Sequence, residues 1–276
     1  MRLFLLSLLT MSAFAANSVL NRAAVGIHGM DPLEFGAIRL ASGAAALGLL
    51  ILITNRGFNL GGSGRVFGVG GLLVYIFGFS IAYLNLDAGL GALILFGIVQ
   101  ITMFAGAVVV REPLPAARWV GAGVAMAGLV WLLWPGGAIE ISTPHAAYMV
   151  AAGVGWGVYS LQGRREAEAT QATGMNFILA APIAIIATLS FPSNGEISAA
   201  GVMLALASGI LTSGMGYALW YQILPALGAG RAAVAQLSVP VIAVAGGMLF
   251  LAEPLTMRFV ISAGLVIGGV LISMRK

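Results

Sequence analysis

The sequence predicts an all-α integral membrane protein. It would hold ten transmembrane helices, as two inverted five-helix repeats around a central cavity, with both termini in the cytoplasm. Three observations carry this expectation. The chain has 276 residues, of which 60% are hydrophobic and 8% charged, whereas about a quarter of a soluble domain is charged. Its mean hydropathy is +1.03, and its apolar runs come in lengths near ~20, the span of a bilayer core by a helix rising 1.5 Å per residue. Finally, one stretch occurs twice: Glu112-Pro113-Leu114 returns 141 residues later as Glu253-Pro254-Leu255. The same shift takes Gly106 to Gly247, and Ala122, Gly123 and Gly128 to Ala263, Gly264 and Gly269. A period of half the chain means an internal duplication rather than a solenoid. Spanning strands alternate apolar and polar residues; these runs are apolar throughout.

The expected spans are about 3–24, 33–54, 66–84, 88–110, 116–134, 144–162, 173–191, 198–221, 230–251 and 256–274. The first imitates a signal peptide, with Arg2, an apolar run and Ala13-Phe14-Ala15. Its apolar residues nevertheless continue to Ile27, and cleavage would remove half of a span that has a partner in the second repeat. In the second span Asp31 is placed to cap, Pro32 fits the first helical position and Glu34 completes a capping-box spacing. Asp87 sits where it could cap span four. Gly61-Gly62-Ser63-Gly64 and Pro135-Gly136-Gly137 mark loops. The second of these divides the chain into repeats 1–136 and 142–276.

Charge orients the chain. Arg2, Arg56, Arg65, Arg111, Arg118, Arg164, Arg165, Arg231, Arg275 and Lys276 fall on the side of the termini, against Arg22, Arg39 and Arg258 opposite. Under the positive-inside rule both termini are cytoplasmic, in the cytoplasmic (inner) membrane. Five spans per repeat is an odd number, so the halves insert in opposite senses, with Glu112 near the cytoplasm and Glu253 near the outside. Inverted repeats characterise alternating-access transporters, whose site lies near the midplane.

The whole chain resembles the drug/metabolite transporter superfamily, in its ten-span type with two EamA-like repeats. The two Glu-Pro-Leu turns carry the likeness, with Gly121-Ala122-Gly123, Ala263-Gly264, Trp156-Gly157-Val158-Tyr159 and Arg39 within Phe35-Gly36-Ala37-Ile38-Arg39-Leu40. Phe14-Ala15 stands where the family usually has Trp-Gly. In overall texture the chain is most similar to YddG-type exporters of aromatic and other amino acids. The resemblance implies a small-molecule substrate, amino acids foremost, with drugs or lipophilic cations as the alternative cargo.

Several side chains could carry that chemistry. All nine carboxylates, Asp31, Glu34, Asp87, Glu112, Glu140, Glu166, Glu168, Glu196 and Glu253, fall in loops or at helix ends. With no intramembrane acid or histidine, a facilitator without proton coupling is expected. Arg39 is the one cation clearly inside a span, about two turns from the Asp31 cap, where it either pairs with a substrate carboxylate or braces a gate, or snorkels to the outer face or meets a helix carbonyl. Gln100 and Gln236 sit near the middle of spans four and nine and suit a zwitterion or an interhelical hydrogen bond. Asn17 in span one is similar. Trp156, Tyr159 and Tyr75 lie deepest and could stack on a side chain, meet an ammonium or fill the bundle. Tyr83 is at the outer end of span three, in an aromatic belt or a cavity mouth. Tyr217, Trp220, Tyr221, Trp131 and Trp134 read first as interfacial belts. Pro182 and Pro240 lie mid-span in seven and nine, as bending points or fixed kinks. Glu112 and Glu253 begin turns and would pair with Arg111, Arg118 or Arg258. Gly153-x3-Gly157 and Gly264-x3-Gly268 allow close helix approach.

Other functions find less support. There are no cysteines, and His28 and His145 lie far apart in predicted loops, so no metal or cofactor is expected. Basic residues scattered singly between apolar runs do not suit nucleic acid, although the pI is near 9.9. The glycines follow no strand, which removes a nucleotide loop. A lipid-modifying membrane enzyme would need an assembled acid–base or nucleophilic set, and a channel would need filter-like loops. Neither is visible. Beyond substrate and lipid bilayer no partner is required, and a monomer is expected.

Overall fold

The computed structural model describes residues 2–54, 57–58, 64–109, 111, 115–134, 141–163, 166, 168–191, 198–220, 222–223, 226, 235–236 and 238–273. Among these the regular structure is entirely helical. The ten helices are α1 (Arg2–Asn21), α2 (Pro32–Ile53), α3 (Arg65–Ala82), α4 (Ala88–Val109), α5 (Ala116–Leu133), α6 (Thr143–Gly163), α7 (Ala169–Ser190), α8 (Ala199–Ala207), α9 (Ser238–Leu251) and α10 (Met257–Ser273). Two of them change winding: α1 runs on as a π-helix over Arg22–Ile27, and α8 over Ser208–Met215.

Among the described residues six helical stretches are long and apolar enough to cross a membrane: Arg2–Ile27, Pro32–Ile53, Arg65–Ala82, Ala88–Val109, Thr170–Ser190 and Ala199–Trp220. Ala116–Leu132, Ser238–Leu251 and Met257–Gly269 are shorter and apolar. Phe4, Leu9, Leu52, Ile186, Leu189, Leu249 and Phe250 point outward and exposed. In water such a surface would drive association; in lipid it is the solvated face. The chain is a multi-pass membrane protein.

The caps explain where helices begin. Asp31 accepts from the backbone of Leu33 at 2.8 Å and Glu34 at 3.3 Å, with Pro32 at the first position of α2. Ser198 accepts from Gly201 at 3.0 Å to start α8. At α4 the expectation needs correcting. Asp87 stands at the right position, its carbonyl accepting from Gly91, but the Ala88 N–H donates to the carboxylate of Glu253 instead.

Helix starts and backbone geometry repeat along the chain. α5 starts at Ala116 and α10 at Met257, 141 residues apart. The non-glycine residues with positive φ, Arg111 at 56° and Ala252 at 54°, are separated by the same interval. Each immediately precedes the glutamate of a Glu-Pro-Leu turn; a left-handed residue there ends the helix and reverses the chain, at a cost of about 1–2 kcal/mol. Glu112-Pro113-Leu114 itself lies outside the described residues.

The packing has the same order. The main interfaces join α3 with α6, α5 with α10, α2 with α7, α4 with α6, α2 with α8, α1 with α9, α4 with α9, α1 with α8 and α3 with α7. Exchanging α1 with α6, α2 with α7, and so on through the five, maps this set onto itself. Close approach is by glycine. A Cβ on Gly155 would lie 2.7 Å from Gly71 O and 2.8 Å from Tyr75 N on α3, while one on Gly153 would lie 2.7 Å from Ile98 on α4. α6 is thus held between α3 and α4 by alternating glycine faces. In α10 the expected pair does not act this way. Gly264 and Gly268 meet nothing within 4 Å, and Gly269 makes the contact, 2.5 Å from Gly121 O on α5.

Candidate functional site

An aromatic cluster fills the middle of the bundle. Trp156 of α6 lies 4.8 Å from Tyr75 of α3, 5.3 Å from Tyr159 and 5.0 Å from Tyr217, centroid to centroid. Phe14 of α1 meets Trp156, Tyr217 and Trp220 edge-on. Phe79 packs on Tyr75 at 5.3 Å and on Tyr83 at 4.7 Å. Such pairings are each worth about 0.5–1.5 kcal/mol beyond burial. They bring α1, α3, α6 and α8 to one point. The space left between Phe14, Asn17, Ser18, Tyr75, Phe79, Leu95, Phe96, Trp156 and Tyr217 is about 10 Å³. That holds about one water, so the chamber is closed down.

Arg39 supplies the charge. It is 0% exposed, on α2. Its Nε donates to Ser213 Oγ at 2.9 Å and its Nη2 to Tyr75 OH at 3.0 Å. The guanidinium carbon stands 5.2 Å from the Tyr75 ring centre and 5.3 Å from that of Phe79. Its Nη1 and the Tyr217 hydroxyl are buried without a hydrogen-bond partner among the described residues. An unsatisfied buried donor costs about 1–3 kcal/mol, more when charged. Arg39 therefore does not snorkel. It is held inside the bundle with donor capacity to spare.

The π-helical stretch of α8 positions the neighbouring hydroxyls. Ser208 donates to Asn17 Oδ1 at 2.8 Å, Thr212 donates to the same oxygen, and Ser213 receives Arg39. The wider turn changes which side chains face α1 and α2, a usual reason for π-bulges at functional sites.

The structure brings together Asn17, Arg39, Tyr75 and Trp156, with Tyr159 stacked behind Trp156 and donating to Thr173 at 3.1 Å. Tyr83 is fully buried, one ring beyond Phe79, and its hydroxyl donates to Ala88 O at 3.1 Å. Gln100 and Gln236 are half-buried and lie outside the residues lining the chamber. Pro182 is inside α7 and exposed. Pro240 is buried in α9.

Tyr217 and Trp220 also need correcting. They are not belt residues; at 2% and 7% exposed, Tyr217 walls the chamber and Trp220 packs edge-on against Phe14 of that wall. Sequence reasoning passed over Ser208, Thr212 and Ser213. The signal was there: hydroxyls four apart within an apolar run. Trp131 and Trp134, at 51% and 63% exposed, stay at the surface.

Glu253 builds a second polar centre at the end of the bundle where α1 stops and α4 starts. Its carboxylate accepts from Ala88 N with both oxygens at 2.9 Å. Arg22 Nε lies 3.7 Å from Glu253 Oε1, and Arg22 Nη1 donates to Tyr83 O at 3.0 Å and Leu84 O at 2.9 Å. The nearby partner expected for Glu253, Arg258, is replaced by Arg22; Arg258 donates instead to Trp131 O and Trp134 O. Burial pushes the Glu253 carboxyl above its ordinary value, against the pull of the Ala88 N–H, and Asp87 beside it is also raised by burial. A cavity of about 210 Å³ opens alongside, lined by Asp87, Leu90, Val244, Met248, Glu253 and Leu255 among others. Among the described residues no cluster of acids and histidines could hold a metal.

Residues 144–275 match the EamA-like transporter family. An uncharacterized protein of Pseudomonas aeruginosa is 40% identical over 98% of this chain and 93% of its own length. An uncharacterized transporter of Archaeoglobus fulgidus is 26% identical, covering 90% of each chain. The uncharacterized transporter YoaV of Bacillus subtilis is 22% identical over 89% of this chain and 88% of its own. A solved crystal structure has the same fold, at TM-score 0.70 and 21% identity over 97% of each chain. The chain belongs to the EamA-like transporter family, within the drug/metabolite transporter superfamily. It is a membrane transporter.

Proposed function

We propose that this transporter is an alternating-access carrier that exports small metabolites bearing a carboxylate and an apolar or aromatic side chain, amino acids foremost. It does so as a monomeric facilitator without proton coupling. Ten transmembrane helices form two inverted repeats, 1–136 and 142–276, with both termini in the cytoplasm and the chamber between the halves. The matched starts of α5 and α10, the paired left-handed residues Arg111 and Ala252, and the exchange-invariant packing support the two-repeat reading.

One observation carries the substrate class. The buried Arg39 guanidinium stands behind Tyr75 and Phe79 of the chamber wall and faces the Tyr217 hydroxyl, and its Nη1 has no well-formed hydrogen bond among the described residues. A carboxylate would take those donors, and a flat side chain would stack on the rings. The same charge weighs against lipophilic cations, which Arg39 would repel. The closed chamber must widen on the side from which substrate enters. Counterflow tests the reading: proteoliposomes containing the protein and preloaded with an unlabelled amino acid should transiently accumulate the labelled one, with pH clamped. Accumulation of lipophilic cations and not of amino acids would overturn it.

A further inference from the structure

Two polar clusters join the halves of the chain, one at each end of the chamber. At one end Glu253, from the second half, receives the Ala88 N–H of α4, and Arg22 braces the same point. Room for these groups is built into the backbone. A Cβ on Gly247 would lie 2.1 Å from Glu253 Oε2, and one on Gly26 would lie 2.1 Å from Arg22 Nη1. At the other end Arg65, the first residue of α3, is 8% exposed. Its Nη1 donates to Ala172 O at 3.0 Å and Asn176 Oδ1 at 3.1 Å on α7, and its Nη2 lies 3.5 Å from Glu166 Oε1. Gly68 leaves the space for Asn176, whose Oδ1 would stand 2.8 Å from a Cβ there.

We propose that these clusters are the two gate latches of the carrier, Glu253–Arg22–Ala88 closing one mouth of the chamber and Arg65–Glu166–Asn176 the other, and that transport releases them alternately. Each bond crosses between the halves, so neither mouth opens without parting one set. Helix termini are apt for this duty. An N-terminal N–H has no partner inside its helix, so its bond to Glu253 can break without unwinding α4. Both sets are engaged here, and the chamber between them is nearly empty of space. That is the occluded arrangement the proposal requires. The inference rests on the carrier reading above.

The chain has no cysteine, so a single Ser18→Cys places a unique thiol in the chamber wall. Oriented vesicles are labelled with a membrane-impermeant maleimide from either face, and counterflow is measured in parallel. Glu253→Ala should raise labelling from one face only, by about tenfold, the effect of losing one buried acceptor. Arg65→Ala should raise it from the opposite face only. Glu253→Gln keeps an acceptor oxygen for Ala88 and should label like the parent, which separates latch loss from misfolding. Equal effects of the two alanine variants on one face, or no effect of either, would overturn the latches while counterflow still supports a carrier. Loss of counterflow in the parent protein for every solute would instead overturn the carrier reading itself.

Discussion

Arg39 Nη2 donates to the hydroxyl of Tyr75 at 3.0 Å while the guanidinium stands 5.2 Å from the centre of that same ring. One aromatic residue thus grips the cation twice, by its edge and near its face. Ser213 holds Nε from the other side. With two of its nitrogens committed, the guanidinium cannot swing toward lipid, and Nη1 is presented in a fixed direction. A buried charge is tolerated only when so satisfied, and a remaining donor marks where a ligand oxygen fits.

We therefore expect Arg39→Gln to raise the half-saturation concentration for a carboxylate substrate by about ten- to a hundredfold, the worth of a charge-assisted hydrogen bond. The maximal rate would change less. Arg39→Lys should not rescue it, because an ammonium cannot serve Ser213, Tyr75 and substrate in one plane. Concentration-dependent counterflow reads both. Equal transport by the Gln variant would remove Arg39 from the site.

Acidity at the Glu253 mouth should favour closure. Burial holds the Glu253 carboxyl above its ordinary value of 4.5, with Asp87 adding to the rise and the Ala88 N–H and Arg22 opposing it. An open mouth solvates the group and returns it to that ordinary value. The closed form then binds the proton more tightly, so its advantage is complete below the ordinary value and is lost as pH rises through the raised one. The groups facing Glu253 are Arg22 at the end of α1, Tyr83 after α3, Asp87 before α4 and Arg258 on α10. Distances between spin labels at Leu84→Cys and Leu255→Cys should lengthen as pH rises, and Glu253→Gln should flatten the response. Persistence of the response in that variant, with loss in Asp87→Asn, would assign it to Asp87.

Gly155→Ala should destabilise the protein by about 1–3 kcal/mol, the usual cost of overpacking. Its Cβ would press on the backbone of both Gly71 and Tyr75, and backbone cannot move aside as a flexible side chain can. Gly264→Ala, with open space around it, should leave thermal unfolding in detergent unchanged. Reversal of that order would mean that α6 does not approach α3 as described.

Much of the architecture is legible along the chain because lipid permits few solutions. A run of about twenty apolar residues must satisfy its backbone internally, so Leu90 to Val109 announces a helix without reference to its neighbours. The Asp31-Pro32 start and the reversals at the Glu-Pro-Leu turns are local too. Arg39 and Trp156 stand out as a cation and a large polar-edged ring where neither is cheap.

Which groups meet is a property of the assembled bundle. Gln100 looked as suitable as Asn17, yet only Asn17 faces the hydroxyls of the π-helical turn, because helix rotation is set by packing and not by composition. Tyr217 and Trp220 resemble belt residues from their place near a span end; the extra residue per π turn carries them inward. Glu253 had Arg258 nearby in sequence and took Arg22, some 230 positions earlier, because α9 packs against both α1 and α4 and so brings the end of α1 to the Glu253 turn. The chain alone determines that it enters a membrane as helices and repeats itself. Side-chain partnership, and with it the chamber and its latches, follows from packing in three dimensions, since the contacts that decide it join residues far apart in sequence.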